Sequence, residues 1–141
     1  MRPRTAILKS LHDVTVAYAA NARGDGVAYV AFTAEGTPRR ITFHVDRLPA
    51  LLDREVGYAA LLAVADMLWH EGYRRVRLGL ADERVATDLA ERRSLPMALS
   101  LLYVRLKCRL NTFTHADVIV RTPSDDLAHR ARAEVELSAA A

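Results

Sequence analysis

The chain has 141 residues, 51% of them hydrophobic and 26% charged, with a net charge of +3. These values describe a single globular domain with a core of its own and exclude wholesale disorder. The small basic excess permits contact with nucleic acid without demanding it, although arginine, the better phosphate fork, outnumbers lysine 18 to 2.

Residues 1–12 read as an N-terminal extension, with two early arginines but neither a long apolar run nor a cleavage site. Asp13–Ala20 (DVTVAYAA) is β-branched and apolar, the pattern of a buried strand. Asn21-Ala22-Arg23-Gly24-Asp25-Gly26 supplies turn chemistry, and Val27–Thr33 forms a second strand. After the turn Glu35-Gly36-Thr37-Pro38, Arg39–Asp46 alternates as a third strand, so the three make an antiparallel meander.

A helix follows from about Asp53 to Glu71, apolar almost all round, with only a narrow strip near Ala59, Asp66 and His70 left for water. Its most apolar window, Val56 to Trp69, is too short to span a bilayer, and Gly72 stops it in the left-handed conformation. Arg75–Leu80 is a fourth strand reached by crossover, and Glu83–Arg92 a short helix closed off before Pro96. A second long helix runs from Pro96 to Leu110 with two apolar stripes. Leu99, Leu102, Tyr103, Leu106 and Leu110 form one, which faces the sheet; Met97, Leu101, Val104 and Cys108 form the other, which needs a neighbouring helix or a partner subunit as cover. Phe113–Arg121 is a fifth strand, and a last helix opens with Asp125 and Asp126, suited to its dipole, before a frayed tail at 138–141. The order β-β-β-α-β-α-α-β-α specifies an α/β fold: a mixed five-stranded sheet with helices on both faces, spanning residues 13–137.

Several strings in that order resemble the ribonuclease H family, bacterial type 1. Val16-Ala17-Tyr18-Ala19-Ala20-Asn21-Ala22-Arg23-Gly24-Asp25-Gly26 is similar to the family's first strand and glycine loop. Tyr58-Ala59-Ala60-Leu61, ending at Glu71-Gly72, resembles its first helix; VRLGLADERVATDL, from Val76 to Leu89, resembles the fourth strand and the helix after it. Asp125-Asp126-Leu127-Ala128-His129 is similar to the start of its last helix. The resemblance implies a fold of that type and four carboxylates holding Mg²⁺ beside a scissile phosphate. The carboxylate positions fall instead on Ala19, Gly57, Ala81 and His129. Mg²⁺ needs hard oxygen ligands, which alanine and glycine cannot supply. Asp82, one residue past Ala81, is the one rescue candidate, but a one-residue step along a strand faces the other way. Glu55 lies about 200° around its helix from Gly57.

These correspondences imply a non-catalytic protein that binds an RNA–DNA hybrid or duplex, or a protein partner, with no cofactor expected. An active hybrid ribonuclease with displaced ligands, using Mg²⁺, and a homo-oligomeric scaffold are the alternatives. The nucleic-acid contacts expected are Arg23, Gly24, Asn21 and Arg75; the partner interface expected, for a homodimer or another protein, is Met97, Leu101, Val104 and Cys108. Read alone, Cys108 is a structural core thiol, and the absence of a disulfide pair points to the cytoplasm. Arg39-Arg40, Arg74-Arg75-Arg77 and Arg92-Arg93 read singly as solvated surface. The five histidines have no zinc-binding spacing, and His129 is the one that would sit at the former metal pocket.

Overall fold

The computed structural model describes residues 10–33, 36–91 and 95–140, with 138–140 in backbone only. β1 (His12–Ala20) and β2 (Asp25–Phe32) form an antiparallel hairpin paired from Val14↔Phe32 to Ala20↔Gly26. Its turn closes on Asn21, whose amide donates to the Asp25 carbonyl (3.0 Å), so β2 begins two residues earlier than its apolar pattern suggests. β3 (Arg39–His44) continues the meander and stops two residues short of Asp46, because the Val45 amide leaves the ladder to donate to the Gly24 carbonyl (2.9 Å). β4 (Arg75–Leu80) lies parallel to β1, and β5 (His115–Val120) parallel to β4. The sheet order is β3-β2-β1-β4-β5, with β1 at the centre.

Side chains alternate across a strand, and on β1 both sets are used. Val14 and Val16 point into the larger core, under α1 (Arg54–His70), α2 (Glu83–Glu91) and α3 (Ser100–Asn111). Ala17 points to the opposite face, where Leu127, Ala131 and Val135 of α4 (Asp125–Ala140) cover it together with Val27 and Tyr29. Helices therefore occupy both faces, as the element order specifies. Tyr58, Leu61, Val64 and Leu68 of α1 are wholly buried, each aliphatic side chain stabilising by about 1.5–3 kcal/mol relative to exposure. No helix among the described residues is long and apolar enough to cross a membrane.

Three readings of the helices need correction. Ala59 is not part of the solvent strip: it is 6% exposed, packed with Val45, Val56 and Leu102. The segment after Pro96 opens with a 3₁₀ turn, Met97–Leu99, in which the Leu99 amide bonds the Pro96 carbonyl (2.9 Å), before α3 proper. Cys108 is exposed rather than a core thiol, because only the stripe through Leu99, Leu106 and Leu110 meets the core. The Met97, Leu101, Val104 stripe is exposed at 91%, 68% and 53%.

Candidate functional site

The C-terminal ends of β1 and β4, the start of α1 and the second half of α4 meet at one end of the molecule. Strand alternation decides what each residue there can reach. Tyr18 leans toward α1, and Ala19 packs on the α4 side. The four expected positions, Ala19, Gly57, Ala81 and His129, have different surroundings. Ala19 lies at an open cleft of about 490 Å³, floored by Tyr18, Ala20 and Val56. On the α4 side that cleft is lined by Arg132, Val135 and Glu136. His129 is exposed outside it, since the facing line of α4 is set by Leu127, Ala131 and Val135 at intervals of four. Ala81 is an exposed bend after β4.

Gly57 is sealed. A Cβ built on it would stand 2.9 Å from the Tyr18 hydroxyl and 3.0 Å from a Val85 methyl. The tyrosine ring fills the room a longer side chain would need. Burial first, then the neighbouring Asp82 carboxylate, push the Tyr18 hydroxyl well above its ordinary pKa, so it stays protonated.

Three of the acids nearby, Asp82, Glu55 and Asp53, are engaged. Asp82 caps α2: the Arg84 amide donates to its Oδ1 (3.0 Å), and the Arg84 guanidinium takes both oxygens, Nε at 3.0 Å and Nη2 at 2.7 Å. Burial pushes the Asp82 carboxyl up, but these Arg84 bonds outweigh it and hold the group below the ordinary aspartate range. The same guanidinium also donates to the Leu52 carbonyl (2.9 Å). Glu55 is wholly buried, its Oε2 accepting from the Leu48 amide (2.6 Å). Asp53 pairs with Arg47, which also donates to the Asn21 carbonyl (2.7 Å). Arg47 and Arg84 thus pin residues 47–53 across the strand ends. The backbone there is unusual: Leu52 and Asp53 both have positive φ, at 50° and 69°.

Mg²⁺ needs several hard oxygens directed at one point. Here Asp82 is turned to Arg84, while Asp53 and Glu55 are both turned to Arg47. Among the described residues no group of three His, Cys, Asp or Glu side chains could hold a metal ion. The residues present do not fit that ion.

The residues expected to touch nucleic acid separate into three kinds. Arg23 is exposed on the β1–β2 loop, its Nε 4.0 Å from Asp25. Asn21 is buried and serves the loop itself, its Oδ1 accepting from the amides of Arg23 (3.0 Å) and Asp25 (3.1 Å). Gly24, at φ 92°, is required by close approach, since a Cβ there would lie 1.8 Å from the Val45 carbonyl oxygen. Arg75 begins β4, whereas Arg23 follows the end of the parallel strand β1, so the two lie at opposite ends of the sheet. Of the basic clusters, Arg39 pairs with Glu71, Arg40 with Glu134 and Arg77 with Asp117; Arg92-Arg93 lies outside the described residues. Tyr18, Arg47, Arg84 and Arg132 were not singled out by sequence. Only the i to i+2 spacing of Asp82 and Arg84 offered a signal, that of a side-chain cap.

No family model matches the sequence, and no curated protein does. Solved structures do. One is ribonuclease H1 from the halophilic archaeon Halobacterium salinarum, 15% identical with a TM-score of 0.63 over 92% of this chain and 99% of that one. Another is the N-terminal ribonuclease H domain of a Mycobacterium tuberculosis protein, 15% identical with a TM-score of 0.66 over 92% and 98%. A third is LC11 ribonuclease H1 in complex with an RNA/DNA hybrid, 11% identical with a TM-score of 0.61 over 92% and 99%. At these identities the likeness speaks to architecture. The chain has a ribonuclease H-like fold.

Proposed function

We propose that this chain is a non-catalytic nucleic-acid-binding module, which engages the backbone of an RNA–DNA hybrid or duplex through the Arg23 loop. The observation that carries the first half is the sealing of Gly57 by Tyr18, beside a nearest carboxylate, Asp82, committed to Arg84. A hydrolytic site of the two-metal type needs several ligating side chains grouped at one point, and the described residues do not supply that grouping. The second half is supported by an exposed arginine on a rigid turn and by the net positive charge. The neighbour of the same fold that holds an RNA/DNA hybrid adds to this.

The test is a cleavage assay and a binding series run on the same preparation. With Mg²⁺ or Mn²⁺ no cutting of the RNA strand of a hybrid is expected. Binding should weaken steeply with salt, and Arg23→Ala should lower the salt slope by about one. Robust cleavage that disappears in Asp82→Asn would overturn the non-catalytic reading. An absence of binding at low salt would overturn the nucleic-acid reading.

A further inference from the structure

The exposed stripe on α3 and the groove beside it make a surface that can match itself. Leu101, Val104 and Cys108 of α3 follow one another at intervals of three and four, the spacing of an interhelical seam, and Met97 precedes them on the 3₁₀ turn. Three of them are large hydrophobics more than half exposed, a clustering that soluble monomers rarely leave uncovered. Alongside runs a groove of about 500 Å³, lined by Leu48, Ala98, Leu101 and Leu102, with Asp46 and Arg105 also on its walls. Both charged residues are exposed. Among the described residues neither has an ion pair or hydrogen bond.

We propose that this face is an isologous homodimer interface, in which the α3 stripes of two copies cross antiparallel and Arg105 of each copy meets Asp46 of the other. Charge selects the occupant and the direction. A two-fold axis brings every residue of the patch against the patch itself, so one acid and one base on the same groove give two complementary pairs. A parallel crossing would set the two Arg105 side chains level with each other, whereas an antiparallel one separates them along the seam; Lys107 lies away from it, toward the Leu89 carbonyl. Antiparallel packing also keeps the two Cys108 thiols on opposite sides of the two-fold axis, about 16 Å apart along the helices at 1.5 Å per residue, and places Met97 opposite Cys108. This inference is independent of nucleic-acid binding, which is read out separately.

Light scattering across a concentration series should give twice the 15.7 kDa chain mass. Leu101→Glu should return the monomer, with circular dichroism unchanged. Asp46→Arg should weaken the dimer tenfold or more, and combining it with Arg105→Asp should restore affinity. Under mild oxidation Met97→Cys should give a disulfide-linked dimer, whereas the unaltered chain should not. A monomer at the highest concentration reached would overturn the proposal. So would a dimer indifferent to Leu101→Glu, or cross-linking through Cys108 alone.

Discussion

Gly57 shows how one missing side chain can be a packing requirement. Glycine within a helix, here in the first turn of α1, is ordinarily unfavourable, and replacing it by alanine would add up to about 0.5–1 kcal/mol of stability on propensity alone. Here the new methyl would press on the Tyr18 hydroxyl at 2.9 Å and a Val85 methyl at 3.0 Å. Overpacking of this kind costs about 1–3 kcal/mol, so Gly57→Ala should be net destabilising. In a Tyr18→Phe background the closest clash disappears, and the same change should become neutral or favourable. Urea denaturation of the four variants measures the coupling. A Gly57→Ala gain that is equal in both backgrounds would show that the tyrosine does not seal the position.

Among the elements, α4 depends on a polar clamp as well as its narrow apolar line. The Tyr29 hydroxyl donates to Glu134, and the Arg40 guanidinium donates to both its oxygens, at 2.8 and 3.1 Å. The Tyr29 bond first, then Arg40, hold Glu134 below its ordinary value of 4.5, against the opposing effect of burial. A carboxylate depressed in the folded state contributes stability that is complete above the unfolded value and fades as pH falls through the folded one. Stability should therefore fall with acid below about pH 4.5, and Glu134→Gln should flatten that fall. Thermal melts across that range are the measurement; an unchanged slope would remove the clamp from the account.

The elements themselves were legible from sequence because most rest on local periodicity. The strands from Arg75 and before Ala20, the stop at Gly72 and the inward stripe through Leu99, Leu106 and Leu110 all stand where the pattern puts them. Ala59 was misread because its cover, Leu102, comes from another helix. His129 was expected at the cleft because alignment of strings fixes order along α4 but not the helix's rotation and path over the sheet. Arg132 and Glu136 occupy that place. The Arg84 clasp on the Leu52 carbonyl joins residues 32 apart, so no local pattern announces it.

At the scale of the whole molecule, the sheet order β3-β2-β1-β4-β5 divides the contacts of the central strand into two kinds. On one side β1 meets β2 across a short turn; on the other His12 pairs with Val76, about sixty residues further along. Hairpins close in about microseconds, but distant pairing must lose loop entropy before any contact repays it. The rate-limiting step of folding should therefore include the β1–β4 ladder. Stopped-flow analysis should give Leu78→Ala, at a wholly buried site on β4, a φ-value above about 0.5, and Ile41→Ala on edge strand β3 a value below about 0.3; the reverse ranking would refute this. Until β4 arrives, the meander carries Val14 and Val16 on a strand whose outer edge is unpaired. That interval, rather than any surface of the finished protein, is when the chain is most exposed to aggregation.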